Sequence, residues 1–178
     1  KQYSLFVKET SNQPKFWNVE NYNNPLQPVI GVTWYDAISF CNWLSFKLGY
    51  KYFLPTEQQW QRAAQGDDNR LYPWGDLWNS NNLNAMRSKR FSYPTYVSEF
   101  PSGVSPYGVM DMSGNVKEWC STNYYNGDND TKSVKHRVLR GGSWYYKDPL
   151  HYRCTARYKY DPRGRNYDFG FRIACIAN

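Results

Sequence analysis

The chain has 178 residues, of which 40% are hydrophobic and 19% aromatic, and it carries a formal net charge of +7. This length suits one domain with one core, and 8 Trp, 17 Tyr and 9 Phe exclude a disordered chain despite a mean hydropathy of −0.84. No apolar run approaches the roughly 18 residues of a membrane span and no signal peptide opens the sequence, so we expect no membrane insertion. The compartment stays open, with the cytoplasm favoured.

The positive charge is concentrated at the C-terminal end, where residues 132–178 hold 11 Lys and Arg against 3 Asp. A nucleic acid, which is negatively charged, would suit this positive charge. Arginines bonded to loop carbonyls and carboxylates are the favoured explanation, so we do not expect a nucleic-acid partner. The four cysteines lack Cys-x-x-Cys spacing and only two histidines accompany them, which argues against a zinc site. The sequence leaves undecided whether two of the cysteines form one buried disulfide.

Two amphipathic helices are predicted in the first half of the chain. Residues 34–48 place apolar side chains at helical spacing, with Thr33 as the N-cap and Gly49 as the stop. A shorter helix is predicted over 56–65, where Thr56 is the N-cap. Because each helix has one apolar face, both should cover the same core.

The second half is predicted to be mostly loop. From Leu71 onward, prolines and glycines separate short runs and no helical period persists. Strands are predicted at 136–140, 152–157 and 169–175. Two helices followed by loops and a small antiparallel sheet indicate an α+β fold.

Six segments form an ordered set of motifs along the chain. They are PVIGVTWYDAISFCNWLS at 28–45, LPTEQQWQRAAQG at 54–66, YPWG at 72–75, SPYGVMDMSGNVKEW at 105–119, RVLRGGSW at 137–144 and GFR at 170–172. In this order they resemble the formylglycine-generating enzyme (sulfatase-modifying factor) family. The resemblance implies a C-type-lectin-like fold in a single domain over 1–178, and we expect an upstream domain in the same chain.

The resemblance also identifies a chemical difference from the family's oxidases. Those enzymes carry a copper-binding cysteine pair, three residues after the serine of the Gly-Gly-Ser motif and five residues further on. Tyr146 and His151 stand at these positions, and no cysteine lies between Cys120 and Cys154. Neither tyrosine nor a single histidine supplies the soft thiolates that hold Cu(I). We therefore expect no copper and no formylglycine synthesis; the alternative is a metal-dependent oxidase with altered ligands.

A calcium site is a further expectation from the resemblance. Asp111, Gly114, Val116 and Glu118 occupy positions similar to one of the family's calcium sites, and such a ligand set is all oxygen, as calcium requires. A tight turn with Glu118 bonded to backbone amides is the alternative. The family's second calcium site needs an aspartate in 86–96, which this sequence lacks.

The stretch 144–169 is the candidate binding region, because eight of its 26 residues are aromatic. Tyrosine gives large contact area with few rotatable bonds, and Asn, Asp, Gly and Arg add adaptable hydrogen bonds, as in binding paratopes. In the family this stretch lines the peptide-substrate site. We expect a non-catalytic module that binds a protein or peptide. The predicted ligand-binding residues are Tyr145, Tyr146, Lys147, His151, Tyr152, Tyr158, Tyr160, Arg163, Asn166, Tyr167 and Asp168.

The same stretch resembles the variable region of lectin-fold proteins that are diversified by retroelements, in which RGGSW and GFR stay fixed. On this hypothesis five tyrosines, at 145, 146, 158, 160 and 167, should be exposed on one surface, while Trp144, Phe171 and Ile173 should be buried. The alternative is that several of these tyrosines cap the sheet.

Overall fold

The computed structural model describes residues 2–86, 92–132 and 135–176. Over these ranges the chain forms three α-helices, which are α1 (Gln2–Thr10), α2 (Trp34–Leu48) and α3 (Glu57–Gln65). The strands of the same ranges are β1 (Lys51–Phe53), β2 (Lys117–Asn123), β3 (Arg137–Arg140), β4 (Arg157–Tyr160), β5 (Phe169–Phe171) and β6 (Ala174–Ile176). The predicted α+β class is confirmed.

Both predicted helices are present and both begin with a complete capping box. At the start of α2 the Thr33 hydroxyl accepts from the Asp36 amide at 3.0 Å, and the Asp36 carboxylate accepts from the Thr33 amide at 2.8 Å. Thr56 and Gln59 make the same exchange at α3. Such reciprocal bonds satisfy amides that have no partner within the helix, so a local sequence signal fixes where each helix starts.

The N-terminal helix α1 was not predicted from the sequence. Its buried residues are Tyr3 and Phe6, whose rings pack on Phe40 of α2 at centroid distances of 5.2 and 5.5 Å. A nine-residue helix is marginal alone in water, and here the contact with α2 stabilises it. That contact is tertiary, which explains why periodicity alone did not reveal the helix.

The main sheet has the strand order β4–β3–β2–β5, and β1 pairs with β6 in a separate two-stranded sheet. β2 is antiparallel to β3 and parallel to β5, so the sheet is mixed rather than purely antiparallel. All seven residues of β2 are buried, including Lys117 and Glu118. A strand covered on both faces shows no alternation of polar and apolar residues, which is why the sequence did not reveal it.

The other strand predictions had mixed outcomes. The first strand is confirmed over Arg137–Arg140, whereas the strand predicted at 152–157 is wrong. Residues Pro149–Tyr152 form a 3-10 turn, and the strand starts only at Arg157. The strand predicted at 169–175 is divided into β5 and β6 around Arg172 and Ile173.

The core residues expected at the C-terminal end are only partly buried. Trp144 is buried as predicted, but Phe171 and Ile173 are half-buried because they face a cavity beside α1. The four cysteines are free, with Cys175 exposed and the other three buried, so the disulfide that the sequence left open does not form. No helix in the described part of the chain is long and apolar enough to cross a membrane.

Candidate functional site

The Gly-Gly-Ser turn after β3 shapes the candidate site. Gly141 and Gly142 both have positive φ, 94° and 70°, a conformation that L side chains rarely adopt. A side chain at Gly142 would also lie 2.6 Å from the carbonyl oxygen of His151 and 2.8 Å from the ring of Tyr152. Glycine is therefore required for the turn to pass against the segment that follows.

Tyr152 supports this turn from below. It is fully buried, and its hydroxyl lies 2.9 Å from the carbonyl oxygen of Ser143 and also contacts the carbonyl oxygen of Tyr146, so the two acceptors share its single proton. Burial raises the pKa of Tyr152, so the hydroxyl stays a donor. The sequence placed Tyr152 on the ligand-binding surface; the structure places it in the interior, because two carbonyls of the turn need a buried donor.

Tyr146 and His151 meet above this support. Their rings stack with centroids 4.0 Å apart and planes 24° from parallel. Tyr158 of β4 extends the stack, since its ring lies 5.7 Å from that of Tyr146 and its hydroxyl lies 2.7 Å from Nδ1 of His151. Burial raises the pKa of Tyr158, and the neighbouring Tyr146 adds to the shift. The structure thus brings three of the predicted residues into one contact group.

A buried ion pair lies on the interior side of Tyr146 and contacts its hydroxyl. Nζ of Lys117 lies 3.0 Å from the Tyr146 hydroxyl and 3.1 Å from Oδ2 of Asp168. The Ser143 hydroxyl donates to the same carboxylate oxygen at 2.7 Å. Asp168 is buried, so it lies beneath the surface where the sequence had placed it. The sequence did not indicate that Lys117 or Ser143 belongs to the site. The lysine of the GNVKEW motif was the only signal for either residue.

The five tyrosines expected on one surface are exposed to different degrees. Tyr145 and Tyr160 are 47% and 40% exposed, and Tyr146, Tyr158 and Tyr167 are half-buried. The Tyr145 ring lies 6.2 Å from that of Tyr146 and 5.7 Å from that of Tyr167. Tyr160 follows two residues after Tyr158 on β4, so both occupy the same face of that strand. We call these five residues and His151 the tyrosine surface.

The other predicted binding residues surround this surface. Lys147 is exposed, and Arg163 is held by Asp161 with a donor to acceptor distance of 2.7 Å. The side chain of Asn166 accepts from the backbone amide of Tyr167 at 2.9 Å, which fixes the loop before β5. Arg163 and Asn166 therefore order the loop between β4 and β5, whereas Lys147 lies on the segment that follows the Gly-Gly-Ser turn.

At the positions expected to bind calcium, Glu118 is paired with Arg172. The guanidinium of Arg172 donates to Glu118 at 2.8 Å and to the carbonyl of Met110 at 3.1 Å. Trp60 also donates to Glu118, at 2.6 Å, and the Asp111 carboxylate accepts from the Ser98 amide at 2.8 Å.

These bonds bear on whether the site fits calcium. The carboxylate of Glu118 is already paired with the Arg172 guanidinium, which disfavours calcium at this donor set, and the calcium site stays a prediction. The segment that would supply an aspartate to the family's second calcium site is 86–96, and its residues 87–91 fall outside the described residues.

The loop-rich α+β fold with its Gly-Gly-Ser turn defines a C-type-lectin-like domain of the formylglycine-generating type. The chain belongs to the sulfatase-modifying factor enzyme 1-like domain family, which it matches over residues 1–177. The family and the fold expected from the sequence motifs are thereby confirmed.

Three similar proteins show the range of this family. The chain is 36% identical over 161 residues to the serine/threonine-protein kinase pkn1 of Chlamydia caviae, covering 83% of this chain and 24% of the relative. It is 34% identical over 164 residues to the inactive C-alpha-formylglycine-generating enzyme 2 of Bos taurus, covering 84% and 50%. Among solved structures, Treponema denticola variable protein 1 superposes with a TM-score of 0.76 at 25% identity, covering 96% and 80%. The chain thus spans about a quarter of the kinase and half of the inactive formylglycine-generating enzyme.

Proposed function

We propose that this domain is a non-catalytic module that binds a protein or peptide ligand through the tyrosine surface. One observation carries the proposal: Tyr146 and His151 stand where the resemblance places the cysteine pair of the family's oxidases, and they form a ring stack that continues into Tyr158 and meets Tyr145 edge-on. The place of a catalytic thiol pair is taken by aromatic contact area, which supports binding rather than oxidation.

The support beneath the tyrosine surface favours recognition by a rigid site. The buried Lys117 to Asp168 pair, the Tyr152 hydroxyl and the Gly142 turn each fix part of the backbone or a ring from the interior. A ligand that binds pre-ordered tyrosines loses less entropy than one that must order them. Similarity to an inactive formylglycine-generating protein and to a variable protein agrees with this proposal.

The basic charge near the tyrosine surface does not favour nucleic acid. Arg157 pairs with Glu57 at 2.8 Å, Arg165 pairs with Asp36 at 3.2 Å, and Arg163 pairs with Asp161. Charges already matched by carboxylates contribute little to phosphate binding. A protein or peptide ligand is accordingly the proposed partner.

The proposal is tested with peptides selected from a random displayed library against the wild-type domain. The affinity of each selected peptide is measured for Tyr145→Ala and Tyr160→Ala, with Tyr50→Ala as the matched control. Tyr50 is 50% exposed and lies outside the tyrosine surface. We expect the first two variants to weaken binding by about 1 to 3 kcal/mol and Tyr50→Ala to leave it unchanged. Selected peptides that are insensitive to both surface variants would overturn the proposal.

Diversification of the tyrosine surface by a retroelement is a separable part of the proposal. It predicts a reverse transcriptase gene near the coding sequence, together with a near copy of the 3′ end that differs at codons of the tyrosine surface. If the flanking sequence lacks either feature, the diversification hypothesis is wrong, and the binding proposal is unaffected.

A further inference from the structure

A cavity of about 420 Å³ lies between two loops, residues 21–27 and residues 93–99. Its volume is in the range of cavities that bind small organic molecules. No residue of the tyrosine surface is among the described residues that line it. The cavity is therefore separate from the surface proposed to bind a peptide.

The charge of this cavity comes from one carboxylate. Glu99 is the only charged residue among the described residues that line it, and the others are Asn, Gln, Pro, Thr and Tyr. Within the described ranges no ion pair involves Glu99, whose side chain is exposed. A cleft whose charge has a single sign concentrates ions of the opposite sign. The cavity consequently favours a positively charged ligand.

A turn brings this carboxylate and an aromatic ring to the same cavity. The Glu99 amide donates to the Tyr96 carbonyl at 3.3 Å, and Ser98 between them has a positive φ of 67°. The first and last Cα atoms of a four-residue turn lie within about 7 Å of each other. Tyr93 adds a second ring to the cavity wall. Because a ring face and a carboxylate both attract a cation, the two groups favour the same kind of ligand.

The two walls of the cavity are joined by one side chain. The amide nitrogen of Gln27 donates to the carbonyl of Asn21 at 2.9 Å and to the carbonyl of Pro94 on the opposite loop. The side chain of Asn24 donates to the Tyr96 hydroxyl at 3.3 Å, which holds the ring beside the cavity. The walls are thus ordered before a ligand binds, which reduces the entropy lost on binding.

We propose that this cavity binds a small organic cation, an alkylammonium ion. The ammonium group pairs with Glu99 and contacts the ring of Tyr96, and the alkyl chain contacts Pro25 and Pro94. An inorganic cation such as Ca²⁺ takes about six to eight oxygen ligands, whereas the cavity offers a single carboxylate. The site is independent of the proposed peptide-binding function.

The test compares pentylammonium with pentan-1-ol, which has a similar shape and no charge. Binding to the folded domain is followed by the NMR shifts of the backbone amides of Tyr96 and Glu99. We expect saturable one-to-one binding of pentylammonium and binding of pentan-1-ol that is at least about tenfold weaker. Saturation by both compounds with equal affinity would show that charge does not select the ligand and would overturn the proposal.

Variants of the carboxylate and of the ring test each contact separately. Glu99→Gln should weaken pentylammonium binding at least about tenfold. The matched control is Glu20→Gln, which removes the same charge from an exposed residue outside the cavity and should change the affinity less than about twofold, because salt screens exposed charges. Tyr96→Leu should weaken binding more than Tyr96→Phe, since phenylalanine keeps the ring that attracts the cation.

Four other results would also contradict the proposal. They are the absence of saturable binding, equal effects of Glu99→Gln and Glu20→Gln, displacement of pentylammonium by an equimolar amount of calcium chloride, and loss of binding in Tyr145→Ala. The third result would indicate an inorganic cation site, and the fourth would place the bound ion on the tyrosine surface.

Discussion

The rings of Tyr146 and His151 stack with centroids 4.0 Å apart, so the two positions that carry the cysteine pair in the family's oxidases are adjacent here without any thiol. The nearest cysteine in sequence, Cys154, belongs with Cys120 to a different buried cluster. Burial raises the pKa of Cys154 to about 12, which disfavours a thiolate. Neither of the two adjacent positions offers a thiol to a copper ion.

The first prediction follows from this replacement. The domain should not convert a cysteine-containing peptide to formylglycine when copper and oxygen are supplied, because no thiolate is available at residues 146 and 151. Mass spectrometry of the peptide measures the aldehyde, with the formylglycine-generating enzyme of Streptomyces coelicolor as the positive control. Aldehyde above background would instead support an oxidase with altered ligands.

The second prediction concerns thiol reactivity. Cys175 is exposed, whereas burial raises the pKa values of Cys41 and Cys154 to about 12 and also raises that of Cys120. An aromatic disulfide reagent should therefore label one thiol of the folded domain rapidly and four after denaturation without reductant. Cys175→Ser should remove the rapid phase. Fewer than four thiols in the denatured protein would reveal a disulfide that the structure lacks.

Calcium dependence is the subject of the third prediction. Since Arg172 already neutralises Glu118, a chelator should leave the melting temperature of the wild-type domain unchanged. Arg172→Met should destabilise the domain by about 3 to 5 kcal/mol, because it leaves a buried carboxylate without its cation. A melting temperature that falls on chelation and recovers with added calcium would show that calcium binds despite the arginine.

The fourth prediction is a pH effect at Asp111. Burial raises the pKa of Asp111 above its usual value of 3.8; Glu118 and Glu99 add to the shift and Arg172 opposes it. The folded state therefore binds the proton more tightly than the unfolded state, and Asp111 lowers the stability as the pH rises through this range.

The variant that tests this effect is Asp111→Asn. An amide oxygen can still accept from the Ser98 amide, and asparagine tolerates the φ of 57° at this position. We expect the variant to gain stability relative to wild type between acidic and neutral pH, as measured by denaturant unfolding at each pH. A constant difference across the pH range would contradict the assigned titration.

The parts of the fold that could be predicted are those set by local bonds. Helices α2 and α3 were located because Thr33 and Thr56 begin capping boxes whose partners lie three residues away. Helix α1 and strand β2 were missed because their stability depends on burial by distant segments. The polar residues of β2, such as Lys117, gave no strand pattern.

The sequence predicted which residue types form the candidate site but not how deeply each side chain is buried. The sequence indicated a tyrosine-rich region, and the structure groups Tyr145, Tyr146 and Tyr158 through ring contacts. It could not show that Tyr152 and Asp168 face inward, because their burial depends on where the Gly142 turn places the chain. Exposed and buried tyrosines have the same composition and differ only in tertiary position.

The last prediction tests the buried ion pair under the tyrosine surface. The side chains of Lys117 and Asp168 are 9% and 3% exposed, and Oδ1 of Asp168, the carboxylate oxygen that faces neither Lys117 nor Ser143, has no hydrogen-bond partner among the described residues. Lys117→Met should therefore cost about 3 to 5 kcal/mol in the free energy of unfolding, since it leaves a buried charge uncompensated.

Two further variants complete this measurement. The double variant Lys117→Met with Asp168→Asn should be more stable than Lys117→Met alone, because no buried charge remains and the amide oxygen can still accept from Ser143. Arg163→Met is the control, as it breaks an ion pair in which the arginine side chain is 79% exposed, and it should cost less than about 1 kcal/mol. Equal losses for Lys117→Met and Arg163→Met would mean that the buried pair does not hold the tyrosine surface in place.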